Sequence, residues 1–191
     1  MQMEHYIIYR VVRKSPERII FMYLLLVIVV YILFAKFFVD WKNWRSYYPT
    51  IQYFIICNLL YNFIFYNHTL WRYKAVTVDW LNHTFIDISF SFIIIPVVIM
   101  IYLRYYPKGK KQYFYVGIWI AYFTCLEYLF YKKGLFIYEN NWNIFWSFIF
   151  NLILFVIVRI HYKSPIKAII ISIPIIAILL TLFHPSLAEI K

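Results

Sequence analysis

Glycine occurs only 3 times in 191 residues, cysteine twice and acidic side chains 8 times. Charged residues of both signs make up 14% of the chain, about half the share found in a soluble domain. Each shortage excludes something. The two cysteines, Cys57 and Cys125, lie inside apolar runs; they cannot build a disulfide scaffold and read as small core hydrophobes. With so little glycine, close GxxxG-type contact between membrane helices is not expected, and packing falls to large interdigitated side chains. The shortage of charge stands against 64% hydrophobic residues and a mean hydropathy of +0.70. That much apolar surface does not fit inside one soluble core, which excludes a soluble globular enzyme as well as a disordered chain. What remains is an all-α, multi-pass membrane protein.

Aromatic residues, at 24%, and a net charge of +11 are the surpluses. On a soluble protein the charge would suggest nucleic acid. Here it reads as loop charge facing anionic lipid headgroups, with no nucleic-acid partner. The richness in Ile, Phe, Tyr, Asn and Lys is what an AT-rich bacterial genome encodes, and points to a bacterial plasma membrane.

Six apolar runs, near 18–39, 50–66, 84–103, 113–131, 143–160 and 165–183, approach the about 20 residues needed to cross a bilayer. Arg13, Lys14 and Arg18 precede the first as in a signal peptide, but the run is long and ends at Lys36 and Asp40 without a cleavage site. It reads as a retained helix opening a six-helix transmembrane bundle over 18–183. Ser15-Pro16-Glu17 and Ser164-Pro165 supply a cap and a first-turn proline. Pro96 and Pro174 fall inside spans and predict kinks. Ahead of the bundle, residues 1–17 form a basic amphipathic segment. Its Ile7, Ile8, Val11 and Val12 share a face flanked by Arg10, Arg13 and Lys14, which suits an interfacial helix. Residues 184–191 form a short tail.

Six crossings place both termini and the 67–83 and 132–142 loops on one side. The total Lys+Arg count divides almost evenly between the two sides. The basic connections Arg104, Lys108, Lys110, Lys111 and Arg159, Lys163, Lys167 favour the other side as cytoplasmic, whereas the N-terminal cluster argues the reverse.

The chain also repeats itself. Tyr47-Tyr48-Pro49 before Gln52-Tyr53-Phe54 matches Tyr105-Tyr106-Pro107 before Gln112-Tyr113-Phe114. Asn62-Phe63-Ile64-Phe65-Tyr66 running to Leu70-Trp71-Arg72-Tyr73 matches Glu127-Tyr128-Leu129-Phe130-Tyr131 running to Leu135-Phe136-Ile137-Tyr138. Trp80 and Trp142 follow, and Arg104 and Arg159 close the return spans. The pattern predicts a duplicated helical hairpin, 47–104 and 105–159, in parallel orientation as in some transporters.

Polar groups inside spans are the candidate functional residues, because hydrocarbon penalises them. Only Asp87 and Glu127 among the carboxylates fall within spans. Asn58 and Asn62 share a face on the second helix by their i, i+4 spacing. His83, Asp87 and Ser91 do so on the third, Thr124, Glu127 and Tyr131 on the fourth, and Asn143, Ser147 and Asn151 on the fifth. At about 1.5 Å per residue these stripes fall in one layer near one membrane face. They predict a chamber rimmed by Trp71, Trp80, Trp142 and Trp146, with Asn58, Asn62, His83, Asp87, Glu127 and Asn151 as ligand-binding candidates. Amides equally serve as glue between helices. No HExxH pattern, paired cysteine, nucleophile elbow or Walker loop is present, so neither a metal, a cofactor nor a catalytic residue is expected.

Asp40-Trp41-Lys42-Asn43-Trp44 through Tyr47-Tyr48-Pro49-Thr50, then Asn58-Leu59-Leu60-Tyr61-Asn62, Leu81-Asn82-His83-Thr84-Phe85 and Asn141-Trp142, carry a resemblance. Over roughly residues 20–183 the chain resembles the uncharacterised small polytopic membrane proteins of Bacillus-like and clostridial spore-formers. The resemblance implies a membrane protein of bacterial source and carries no site residue over.

Three functions fit these residues. The favoured one is a non-enzymatic binder or transporter of a small polar ligand or cation. The others are a scaffold or sensor subunit whose polar layer is only glue, and a lipid-modifying enzyme using Asp87 or Glu127 as acid–base.

Overall fold

The computed structural model describes residues 26–73, 83–183 and 185, with the backbone alone for 83–85. The N-terminal amphipathic segment, the Ser15-Pro16 helix start, Trp80, the His83 side chain and most of the C-terminal tail lie outside the described residues.

Among the described residues six helical rods follow one another. Helix α1 covers Leu26–Phe38. A 3₁₀ turn, Trp41–Asn43, leads into α2, Trp44–Ile64. Strand β1, Trp71–Tyr73, precedes a rod built from α3, His83–Ser89, a π segment, Phe90–Ile94, and α4, Ile95–Arg104. Helix α5, Lys111–Lys132, is followed by strand β2, Phe136–Tyr138, then by α6, Ile144–Lys163, and α7, Pro165–Phe183. Among the described residues four stretches are long and apolar enough to cross a membrane: Ile86–Arg104, Lys111–Lys132, Ile144–Lys163 and Pro165–Phe183. Helix α2 has the length, at 21 residues, but Arg45, Gln52, Asn58 and Asn62 make it less apolar.

The all-α class expected from the sequence is supported, and the structure adds two short strands to it. Strands β1 and β2 pair antiparallel, Trp71 opposite Tyr138, Arg72 opposite Ile137 and Tyr73 opposite Phe136. Backbone N–H and C=O groups that pack against an apolar bundle need partners, and a two-stranded ladder supplies them.

Local chemistry sets the helix ends. Gly134, at φ +69°, closes α5. The Gly134 N–H donates to the Tyr131 carbonyl and the Leu135 N–H to that of Phe130, the paired bonds of a Schellman ending. The chain therefore turns sharply, and β2 begins at Phe136. Asn143 caps α6 by accepting from the Phe145 and Trp146 N–H groups. At Pro96 the expected kink takes the form of the π segment. Proline offers no N–H to the Phe92 carbonyl, so the ladder slips by one residue and the Ile95 N–H reaches Phe90. Pro49 lies inside α2, which starts at Trp44 and not at 50.

The α3–α4 rod is the most enclosed of the candidate spans and packs against α2 and α6, while α5 and α7 flank α6. Tyr102 is fully buried, donating to the Phe155 carbonyl at 2.9 Å. Its own carbonyl accepts from Tyr115 at 3.0 Å. The outward faces keep large apolar groups: Phe114 is 76% exposed and Ile166 72%. A belt of this kind suits lipid as its solvent. Cys57 and Cys125 are both free, and Cys125 is exposed on this outer surface instead of buried in a core.

Candidate functional site

Asn58 and Asn62, one turn apart on α2, face α3. Both aim their amide nitrogens at Asp87 Oδ2, at 3.1 and 2.6 Å. Asn58 Nδ2 also donates to Ser91 Oγ at 2.7 Å, and that hydroxyl donates to the Asp87 carbonyl at 2.7 Å. The cluster is closed by Asn62 Nδ2 on the Asn58 carbonyl at 3.0 Å. Asp87 and Ser91 are buried.

A second polar pair of rungs joins α5 to α6. Glu127 Oε1 accepts from the Tyr138 hydroxyl at 2.8 Å, and the Ser147 hydroxyl lies near this carboxylate. Ser147 Oγ accepts in turn from Trp142 Nε1 at 2.8 Å. Deeper, Asn151 Nδ2 reaches Thr124 Oγ1 at 3.4 Å, a long bond. Among the described residues half-buried Glu127 is hydrogen-bonded by the Tyr138 hydroxyl, and no basic side chain forms an ion pair with it.

The ribbon closes over both pairs. Directly opposed residues of an antiparallel pair share a face, so Trp71, Tyr73, Phe136 and Tyr138 face the bundle. Arg72 faces out and pairs with Glu139 at 2.9 Å. Glu139 ties the two loops together: its Oε2 accepts from Thr69 Oγ1 at 2.9 Å and its N–H donates to the Leu70 carbonyl. Burial first, then the nearby charges of Asp87 and Glu127, pushes the Tyr73 phenol up and keeps it protonated. Tyr138 is pushed up by burial and by its bond to Glu127.

Beneath the ribbon lies a cavity of about 340 Å³, lined from all six helices. Asn58, Asp87, Glu127, Ser147 and Asn151 put polar atoms on its wall, beside the rings of Tyr61, Trp71, Tyr73 and Trp142. The remainder is mostly Ile, Leu, Val and Phe, with Tyr31, Tyr53, Cys57, Ser89 and Ser172 among them.

Of the residues singled out from sequence, Asn58, Asp87, Glu127 and Asn151 line this cavity, and Asn62 holds Asp87 without lining it. The His83 side chain is outside the described residues. Asn143 serves α6 as its cap. Tyr131 is exposed and leans on Tyr138, ring centroids 4.9 Å apart. Trp71 and Trp142 form no outer rim: their rings meet at 5.0 Å inside the wall, and Trp142 is buried. Sequence reasoning missed Tyr73 and Tyr138. Their signal was available, since they hold matching places in Leu-Trp-Arg-Tyr and Leu-Phe-Ile-Tyr. It also missed a separate buried contact, Thr50 Oγ1 to His161 Nδ1 at 3.0 Å, with Tyr53 stacked on the imidazole.

Among the described residues no three His, Cys, Asp or Glu side chains come together. No protein-family model matches the chain, and no curated protein or solved structure is significantly similar to it.

Proposed function

We propose that this chain is a membrane protein that crosses the bilayer six times, α1 and α2 joining the four apolar spans, and binds a small amphipathic cation in the chamber under the ribbon without chemically altering it. The observation that carries this reading is Glu127. An intramembrane carboxylate is costly and commonly marks an ion or substrate path. Glu127 borders a cavity, and among the described residues it meets neutral hydroxyls and no basic side chain. A cationic ligand would supply the missing charge.

The wall refines the ligand class. A bare metal ion asks for several oxygen donors around one point, whereas this cavity is mostly hydrocarbon and aromatic ring. Its volume is in the small-molecule range, about 300–1,000 Å³. Ring faces attract ammonium groups, and the apolar depth suits an alkyl chain. The favoured ligand is therefore an organic ammonium with an apolar body. A scaffold whose amides were only glue would fill this volume with side chains.

The test is binding of n-hexylammonium to the purified protein, followed by the fluorescence of the wall residues Trp71 and Trp142. Glu127→Gln should weaken binding at least about tenfold, since the amide keeps the shape and loses the charge. Equal binding by Glu127→Gln and the natural chain would overturn the reading.

A further inference from the structure

The outer face of α6 is organised independently of the chamber. Phe148, Leu152 and Val156 recur at i, i+4 and so stand on one face of the helix. They stay exposed although α5 and α7 both pack on α6. Leu152 at 41% and Val156 at 40% are far less open than Phe114 on α5 or Ile166 on α7, at 76% and 72%. The stripe is the floor of an apolar groove between its neighbours, not a ridge.

Arg159 continues the same face at i+3 from Val156, and exposed Lys163 follows one turn later. The half-buried Arg159 guanidinium lies over the Tyr106 ring at 4.3 Å and near the Tyr162 ring at 5.9 Å. Tyr162 is stacked on Tyr47 of α2, ring centroids 5.6 Å apart. Ring faces attract the cation but leave its fork of N–H donors to be answered. Among the described residues no carboxylate pairs with Arg159, whereas Arg72 has Glu139 and Arg104 donates to the Phe38 carbonyl. The contacts of Arg104 with Phe38, Tyr47 with Tyr162 and Arg159 with Tyr106 bring the α1–α2, α4–α5 and α6–α7 turns to one end of the bundle. All three turns carry Lys or Arg, and Asp40 is the only carboxylate at this end among the described residues. Asp40 already accepts from Asn43.

We propose that this groove is a binding site for an anionic phospholipid, one acyl chain lying along Phe148, Leu152 and Val156 and the phosphate on Arg159. It needs α6 to cross the bilayer, as in the reading above, and does not need the chamber to hold a ligand. The length agrees: from Phe148 to Arg159 the helix rises about 16 Å, close to one leaflet of a hydrocarbon core about 30 Å thick. A guanidinium meets a phosphate with two parallel hydrogen bonds. The apolar floor accepts any acyl chain, so the choice of lipid falls to the charges. Lys163, one turn further toward water, repels the ammonium of a zwitterionic headgroup and favours one that is only negative. The same charges disfavour a second copy of this chain, because copies related by a two-fold axis along the membrane normal would bring like cations together.

The experiment titrates the full chain in a mild detergent with dioleoyl-phosphatidylglycerol or dioleoyl-phosphatidylcholine and counts bound lipids by native mass spectrometry, with thermal stability as a second reading. The first phosphatidylglycerol should bind at least about tenfold more tightly than phosphatidylcholine. Arg159→Gln should reduce that preference to about twofold or less. Lys108→Gln removes an equal charge from the exposed α4–α5 loop and should leave the preference unchanged. Equal binding of the two lipids by the natural chain would overturn the site, a comparison that a misfolded variant does not affect. An equal loss in Arg159→Gln and Lys108→Gln would also overturn it, since the preference would then follow only the net charge of this end. A dimer that forms without lipid and dissociates in Arg159→Gln would give the groove to a second copy and overturn it as well. Each of these results leaves amine binding in the chamber standing. A chain that stays in solution without detergent or lipid would overturn the lipid site and the membrane reading together.

Discussion

At Asp87 and Asn151 the same kind of contact, an amide meeting a partner across two helices, has very different strength. Asn62 reaches a buried carboxylate at 2.6 Å, whereas Asn151 reaches a hydroxyl at 3.4 Å. Hydrogen bonds to charged groups are the stronger class, and removing one partner leaves the other desolvated. Asn62→Ala should therefore lower stability by about 1–2 kcal/mol, and Asn151→Ala by about 0.5 kcal/mol or less. Thermal unfolding of the two variants in one detergent checks the order, and a larger loss at Asn151 would contradict the geometry. Glu127→Gln belongs with the mild changes. Its hydroxyl partners can bond an amide, so the ligand-free protein should melt within a few degrees of the natural chain while binding falls.

Among the elements, the turn after α5 offers a clean contrast of sign. Gly134 sits at φ +69°, where a side chain is strained. Gly117 is inside α5, with nothing within 4 Å of an added Cβ. Gly134→Ala should cost about 1 kcal/mol and loosen the entry to β2, and Gly117→Ala should be neutral or stabilising. The ribbon makes a second prediction. On a background lacking Cys57 and Cys125, Arg72→Cys with Ile137→Cys should form a disulfide under mild oxidation. Arg72→Cys with Glu139→Cys, which are not opposed in the ladder, should form far less.

These elements also show what was legible beforehand. The long apolar runs are plain in the sequence because hydrocarbon enforces them. The polar rungs are legible too, because i, i+4 spacing fixes a face and equal distance from the helix end fixes a depth. The strands were not. Trp-Arg-Tyr and Phe-Ile-Tyr are too short to show a period of two, and each becomes a strand only by meeting the other. The consequence for the site is direct, since Tyr73 joins the chamber wall and Tyr138 reaches Glu127 only once the ribbon forms. The places of Trp71 and Trp142 were misread for a related reason. Tryptophan near a membrane surface usually anchors there, but here the loops fold back and carry both rings into the wall. At Pro96 the sequence marks a disruption, and only the ladder geometry shows it to be a slip into a π turn.

For the whole molecule, the two loops that pair through β1 and β2 must lie on one side of the membrane. Lys110→Cys and Lys163→Cys should react with an impermeant thiol reagent from one face and Asn140→Cys from the other; reaction of positions 110 and 163 from opposite faces would break the hairpin arrangement. The claim that joins fold to function is that an amine occupies the chamber itself, and Cys57 on its wall provides a natural reporter. With Cys125→Ser removing the exposed thiol, the rate at which a small, membrane-permeant methanethiosulfonate modifies Cys57 can be followed by mass spectrometry, with and without saturating n-hexylammonium. Occupancy of the chamber predicts at least about tenfold slower modification in the presence of the amine, and loss of that protection in Glu127→Gln. An amine that binds with full affinity yet leaves the rate at Cys57 unchanged would place its site elsewhere and contradict the chamber as the seat of function.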